Sequence, residues 1–363
     1  MVAHPDAAQL GAAQLGWGIM GCGWVARDYG GPAIQAARNG RLAALYDPDP
    51  ASLARAGAAF PGVPAHADLV AFLATMRTSP SGLGAAYVAA PNHAHRALVE
   101  TAAGAGLAVL CEKPMATTLA DAEAMVAACA RAGVPYATAF DQRFHAAHQV
   151  MAAMIAAGRL GTVTAVRVVY ACWLPADWPL AGGDNWRIDP GRAGGGALMD
   201  LAPHGLDLAA TLLGERLVDV TAMGQGRVHR YAVEDGAVLL ARSRSGALVQ
   251  MHVAYNCPET LPRRRLEVVG TAGQLVATDT MGQVGGGALA FLDAATGLAE
   301  PVPVPGIERS PFLNQVEAFA DAVLGAGRFP FTGEGDLATM RLLLQAQGQA
   351  APQAAPPGLP DAA

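Results

Sequence analysis

Asp200 and His204 stand four residues apart in the string Asp200-Leu201-Ala202-Pro203-His204. That spacing puts both side chains on one face if the segment is helical. An imidazole with an ordinary pKa of ~6.5 takes or gives a proton near neutral pH, and a neighbouring carboxylate orients it and stabilises its charged form. Standing alone, such a pair is more often a capped helix with a satisfied histidine. A second residue gives it context: of 24 basic residues, Lys113 is the only lysine. Arginine replaces lysine freely where surface charge is all that matters. A lone lysine therefore points to work a guanidinium cannot do, because an ammonium is a compact point charge and can lose its proton when desolvated. Chance retention in an arginine-biased chain is the other explanation.

Near the N-terminus, Gly21-Cys22-Gly23-Trp24-Val25-Ala26 fits G-x-G-x-x-G/A, directly after a strand-like run and at the start of a helix-like one. Glycines there let the backbone turn tightly and approach a pyrophosphate, whose charge is met by the helix N-terminus. With 43 glycines in the chain the pattern alone is weak, and its position strengthens it. Asp47 ends the next strand-like run, where a carboxylate accepts hydrogen bonds from ribose hydroxyls and repels a 2′-phosphate. That favours NAD over NADP. The competing view of Asp47 is a turn residue in Asp47-Pro48-Asp49-Pro50.

These residues need elements to hold them. From Leu15, short apolar runs alternate with helix-like segments, the signature of βαβ units around a parallel sheet. Strands are predicted at 15–20, 42–46, 85–89, 107–111 and 134–139. Helices are predicted between them at 24–38, 51–60, 67–76, 95–103 and 119–131. After Phe140 the rhythm changes. Strand-like runs at 162–170, 218–223, 237–241, 247–255, 265–269 and 273–277 follow one another with turns between them, which predicts a largely antiparallel sheet. Helices are predicted at 146–157, 202–213, 311–324 and 335–347. The fold class is α/β: an N-terminal Rossmann dinucleotide-binding domain over residues 15–140, then a C-terminal α+β domain with a large, mostly antiparallel open sheet over 141–349. The last helices of that second domain are able to pack back on the first. Residues 1–14 and 350–363 are expected to be disordered.

The bulk numbers agree. A chain of 363 residues suits two domains, and 52% hydrophobic against 15% charged residues describes a globular protein. A net charge of -6 leaves no positive excess for phosphate backbones or anionic lipid, so nucleic acid and membrane are poor partners and a small molecule is the better one. No apolar stretch of ~18 residues suggests a membrane span. The first residues lack the basic start of a secretory signal, so the protein is expected in the cytoplasm. Five cysteines, none in a C-x-x-C pair, argue against a disulfide framework or a zinc knuckle, and no metal site is expected. His145 and His148 lack a third ligand at matching spacing.

Ala90-Pro91-Asn92-His93-Ala94-His95 follows the third main strand, and Cys111-Glu112-Lys113-Pro114 follows the fourth. With Gly194-Gly195-Gly196-Ala197-Leu198-Met199-Asp200-Leu201-Ala202-Pro203-His204, these strings resemble the glucose–fructose oxidoreductase, inositol dehydrogenase and rhizopine-catabolism family, Gfo/Idh/MocA. The resemblance spans about Leu15 to Gln347. It implies that the E-K-P lysine, Lys113, is catalytic and near the nicotinamide, and that the D-x-x-x-H pair supplies the acid/base machinery. Family members often carry glycine where Ala202 and Pro203 stand.

The chemistry implied is hydride transfer between a nicotinamide and a carbinol carbon of a sugar, cyclitol or related polyhydroxylated substrate. Loss of the hydride requires the hydroxyl proton to leave at nearly the same time. His204 is then the base, Asp200 its orienter, and Lys113 holds the substrate oxygen against developing negative charge. The expected cofactor ligands are Gly21, Gly23, Trp24, Val25, Ala26, Asp47, Pro91, Asn92, His95, Glu112 and Lys113, with Arg143, Trp186 and Arg187 from two further family-like segments. Lys113, Arg143, Arg187, Asp200 and His204 are the expected substrate ligands. Trp173, Trp178 and Trp186 suit a pocket wall, although core packing is the commoner use of tryptophan. Relatives in the family are commonly dimers or tetramers, so a homo-oligomer is expected. The competing function is a non-catalytic dinucleotide-binding sensor on the same fold. A Schiff-base enzyme built on the lone lysine conflicts with the dinucleotide fingerprint.

Overall fold

A computed structural model of the chain describes residues 14–78, 83–178 and 185–350. Most of both expected disordered ends, 1–13 and 351–363, lies outside the described residues. The contacts divide the chain into two compact units. The first takes residues up to 149, then 282–286 and 304–340; the second takes 150–281, 287–303 and the residues from 341.

The first unit alternates strand and helix: β1 (Leu15–Met20), α1 (Gly31–Ala36), β2 (Gly40–Tyr46), α2 (Pro50–Ala59), β3 (Ala65–His66), α3 (Leu69–Met76), β4 (Gly84–Val88), α4 (His95–Gly104), β5 (Ala108–Cys111), α5 (Leu119–Ala132) and β6 (Tyr136–Thr138). Among the described residues these strands form a parallel sheet in the order β3-β2-β1-β4-β5-β6. The order reverses between β1 and β4, the point at which such sheets open a crevice at the carboxyl ends of their strands. The glycine turn after β1 and the loop after β4 both end there.

α6 (Ala146–Ala156) leads towards β7 (Val163–Ala171), α7 (Pro190–Ala193) and α8 (Ala197–Leu213). Then follow β8 (Leu217–Gln225), β9 (Gly236–Ser243), β10 (Leu248–Ala254), β11 (Arg264–Gly270), β12 (Gly273–Thr278), β13 (Ala288–Asp293) and β14 (Ala299–Pro301). α9 (Pro311–Val323) and α10 (Gly333–Gln349) complete the described elements. The second sheet runs β14-β13-β12-β11-β7-β10-β9-β8 and is antiparallel except where β10 pairs with β7, Val249 opposite Val166. The expectation of one parallel and one mostly antiparallel sheet holds.

α9 belongs to the first unit. Its Phe319 ring lies 5.7 Å from that of Trp17 on β1. Phe312 and Phe319 join Ile19, Ile34, Leu45 and Leu110 in one buried cluster. Each such side chain contributes ~1.5–3 kcal/mol when fully buried. In the second unit, α8 packs closely on β7 and β10 at Gly205, where an added side chain would displace Met251. A Cβ there would meet the Met251 methyl at 2.5 Å and its sulfur at 2.8 Å.

Several elements differ from expectation. The predicted first helix, 24–38, contains a wide π turn over Ala26–Gly30 before α1, with the Gly31 N–H donating back to Ala26 O. Hydrophobic periodicity carries no signal for such an insertion. β3 is too short and β14 too exposed to alternate in sequence. α8 begins five residues earlier than the predicted Ala202, and Pro203, which suits a helix start, lies inside it. β11 runs one residue beyond the predicted 265–269 at each end, so Arg264 opens it. Among the described residues no helix is long and apolar enough to cross a membrane.

Candidate active site

In the first unit, Gly21 has φ +99, and a Cβ on it would lie 2.5 Å from Ala90 N. The turn after β1 is thus pressed against the loop after β4. A Cβ on Gly23 would meet nothing within 4 Å. Helical turns begin beside it at Trp24, so this open space at a helix start fits a pyrophosphate. The Cys22 N–H donates to Asp47 Oδ2 at 2.7 Å, and the Asp49 N–H donates to Asp47 Oδ1 at 2.8 Å. Each carboxylate oxygen keeps a lone pair for a ribose hydroxyl. Asp47 therefore fixes the glycine turn and can bind ribose with the same group. Burial, reinforced by Asp47, pushes the Cys22 thiol up to about 12, so it stays a neutral thiol. Trp24 meets Tyr29 edge-on at 5.1 Å, and Ala26 is buried.

The Pro91 to His95 string and the E-K-P string are joined by one side chain. His95, fully buried, has Nδ1 3.1 Å from Pro114 O and 3.0 Å from Met115 O, with Nε2 2.8 Å from Ala90 O. Burial lowers its pKa. His95 acts as a strut beneath the lysine loop, while Asn92 is also buried and opens a short 3₁₀ turn. Glu112 accepts the Tyr87 hydroxyl at 2.5 Å through Oε1 and the Lys113 N–H at 3.3 Å through Oε2. Burial raises Glu112 to about 7 against the opposing pull of Lys113. The Lys113 side chain is half-buried.

Arg143, an expected ligand, is buried in the first unit. Its side chain is 4% exposed and ion-paired to Asp336 Oδ1 at 2.7 Å, with its guanidinium over the Phe331 ring at 4.0 Å and the Phe140 ring at 4.7 Å. Asp336 Oδ2 also accepts the Thr138 N–H at 2.9 Å. These contacts engage Arg143 within the first unit and tie β6 to α10.

In the second unit, Asp200 and His204 lie one turn apart on α8. Asp200 Oδ2 accepts the Tyr255 hydroxyl at 2.9 Å and stands 3.8 Å from Arg187 Nε. Burial, then Asp200, holds the Tyr255 phenol well above its ordinary pKa, so it remains a donor. His204 is 5% exposed, with the Tyr170 ring edge-on at 5.4 Å. The Arg187 guanidinium lies between the Trp178 ring at 4.8 Å and the Trp186 ring at 4.6 Å. Trp186 and Arg187 share a short 3₁₀ turn. Two of the three expected wall tryptophans thus hold the arginine that faces Asp200. Residues 179–184 of the expected wall segment lie outside the described residues.

The start of α8 has no local cap. Glu234 supplies it from just before β9, with Oε1 accepting the Gly196 N–H at 2.9 Å and the Leu198 N–H at 3.0 Å. The motifs gave no sign of Tyr87, Glu234 or Tyr255. Tyr87 and Tyr255 lie within predicted strands, where an aromatic signals packing, and Glu234 lies in a connection.

Comparison with known proteins accords with this geometry. Residues 15–140 match the model of an oxidoreductase family with an NAD-binding Rossmann fold. Residues 148–276 match the GFO/IDH/MocA C-terminal domain. The 1,5-anhydro-D-fructose reductase of Ensifer adhaerens is 31% identical over 88% of this chain and 91% of its own. The D-xylose 1-dehydrogenase (NADP(+)) 2 of Haloferax volcanii is 32% identical over 85% of this chain and 88% of its own. Among solved structures, an aldose-aldose oxidoreductase from Caulobacter crescentus, complexed with glycerol, superposes with a TM-score of 0.79 at 29% identity, covering 93% of this chain and 97% of that one. This chain belongs to the Gfo/Idh/MocA family of NAD(P)-dependent oxidoreductases.

Proposed function

We propose that the chain oxidises or reduces a carbinol carbon of a sugar, cyclitol or related polyol, with Lys113, Asp200 and His204 as its catalytic residues. The observation that carries this reading is the pairing of Asp200 and His204 on α8, with Asp200 fixed by Tyr255 and facing Arg187. The substrates named for the relatives, an anhydro sugar and an aldopentose, agree with it. The bound nicotinamide supplies the hydride acceptor or donor. His204 takes the hydroxyl proton during oxidation and returns it during reduction. Asp200 stabilises the imidazolium formed, and Tyr255 holds that carboxylate in one orientation. Lys113 donates a hydrogen bond to the reacting oxygen and offsets its developing charge. Arg187 binds a further hydroxyl or carboxylate of the substrate through its planar fork.

We take NAD as the preferred cofactor, because Asp47 at the end of β2 would repel a 2′-phosphate. Gly21, Gly23, Trp24, Val25 and Ala26 line the pyrophosphate side, and Pro91, Asn92, Glu112, Lys113 and Trp186 the nicotinamide side. His95 acts through the loop it braces. In this reading residues 15–140 serve the cofactor and 141–349 the substrate. The protein works in the cytoplasm as a homodimer or homotetramer, without nucleic acid or membrane partners. Met223, Leu240 and Leu248, exposed by 78%, 59% and 60% on the same face of the second sheet, support association.

A panel of aldoses, inositols and sugar acids, incubated with NAD or NADP and followed by reduced-nicotinamide absorbance, tests the reading. Turnover of at least one polyol, faster with NAD, is expected. Cofactor binding with no turnover of any panel member would favour the sensor.

A further inference from the structure

The second unit holds an aromatic cluster that the chemistry above does not use. Trp173 bridges to Asn256 beside β10 and is 39% exposed. Its ring meets the His229 ring at 4.7 Å and 62°, and His229 lies flat on Tyr231 at 4.7 Å and 11°. The Tyr231 hydroxyl donates to Leu174 O. The loop carrying His229 is pinned by Asp235, whose Oδ2 accepts the N–H groups of Arg227, Val228 and His229 at 3.0, 2.6 and 2.9 Å. Asp235 Oδ1 accepts Asn256 Nδ2 at 2.9 Å. The cluster is therefore a braced surface feature, with an exposed indole at its end.

Tyr255 relates this cluster to the reacting centre. Its main-chain oxygen lies 3.1 Å from His229 Nε2, while its hydroxyl binds Asp200 at 2.9 Å. The cluster and the Asp200 carboxylate are thus tied to opposite ends of one tyrosine, the first through its main chain and the second through its hydroxyl. Trp178 and Trp186 spend their faces on Arg187, whereas Trp173 presents an indole to solvent. A flat apolar face with polar neighbours suits the C–H face of a sugar ring.

We propose that Trp173 is the platform for a second ring of the substrate, adjacent to the ring whose carbinol reacts, so that the preferred substrate is a glycoside or disaccharide. The proposal rests on the reading of Asp200 and His204 as the site of oxidation. It adds a substrate class that a monosaccharide site would not need.

Calorimetric titration of the NAD-loaded protein tests it, using maltose, cellobiose, lactose, melibiose, sucrose and methyl glycosides beside glucose, galactose, fructose and xylose. At least one glycoside should bind about tenfold more tightly than its component monosaccharides, a difference of ~1.4 kcal/mol. Trp173→Ala should remove that advantage. Trp173→Leu, which keeps bulk without a flat face, should remove it too, and Trp173→Phe should keep most of it. Equal wild-type affinity for glycosides and monosaccharides would overturn the proposal, as would an advantage surviving in folded Trp173→Ala or Trp173→Leu. Reduced-nicotinamide formation with the same sugars separates the two readings. Trp173-dependent glycoside binding without any turnover would sink the oxidation reading and leave the platform standing. Turnover of monosaccharides with no glycoside preference would do the reverse.

Discussion

The Tyr87 hydroxyl donates to Glu112 Oε1 at 2.5 Å, joining the middle of β4 to the residue before the only lysine. Glu112 is raised by burial from the ordinary 4.5 to about 7, with Lys113 and the Tyr87 bond pulling it down and Asp141 pushing it up. In the folded protein it therefore keeps its proton to a higher pH than in the unfolded chain.

That linkage has a definite sign. Below about pH 4.5 Glu112 is protonated in both states, and the folded state holds it at full advantage. As pH rises to about 7 the unfolded chain releases the proton first, so stability falls by about 3 kcal/mol. Glu112→Gln keeps an acceptor for Tyr87 without a charge. Its melting temperature relative to wild type should therefore climb between pH 4.5 and 8. Tyr87→Phe removes a bond that favours the charged form, so the loss should still begin near pH 4.5 but extend to higher pH. A Glu112→Gln difference that stays flat across that range would contradict the assignment.

Asp47 holds the Cys22 N–H and is proposed to hold the ribose. Asp47→Ser combined with Pro48→Arg should weaken NAD binding and strengthen NADP binding, reversing the preference in fluorescence titrations. An unmodified protein that already binds NADP more tightly would remove Asp47 from cofactor selection.

Glu234→Ala leaves the Gly196 and Leu198 N–H groups of α8 without their acceptor. The expected cost is ~1–3 kcal/mol in thermal unfolding, with less for Glu234→Gln. Because α8 carries Asp200 and His204, kcat should fall in Glu234→Ala while NAD affinity stays near normal. An unchanged melting temperature would show that water replaces the cap at no cost.

The sequence made legible what is local. The glycine turn, Asp47 and the four-residue spacing of Asp200 and His204 each lie within a short string, and periodicity located most strands and helices to within a few residues. What stayed hidden is long-range. Glu234 caps a helix 38 and 36 residues before it, and Arg143 pairs with Asp336 across 193 residues. The predicted start of α8 is late for the same reason: rules for helix starts look for a neighbouring Ser, Thr, Asp or Asn, and this cap comes from the approach to another strand. Arg143 is expected as a ligand because it is a charged residue in a family-like string. Its burial between Phe140 and Phe331 could not be seen from its neighbours in the chain.

Lys113 offers a chemical test that most enzymes do not, because apart from the chain's N-terminal amine it is the only primary amine. Acylation at Lys113 should abolish turnover, and saturating NAD with substrate should protect the lysine and the activity in parallel. Lys113→Arg should fold and bind NAD yet be nearly as inactive as Lys113→Ala, since a misplacement of about 1 Å can cost ~10²-fold. Full activity after complete acylation, verified by mass spectrometry, would exclude a catalytic lysine.

The most direct test of the account is single-turnover hydride transfer in His204→Ala, with NAD and a polyol that the wild type oxidises, followed by stopped-flow absorbance. His204 as the base predicts that the rate of reduced-nicotinamide formation falls ~10²–10⁴-fold while NAD affinity is nearly unchanged. A single-turnover rate close to wild type would contradict the assignment of proton transfer to α8.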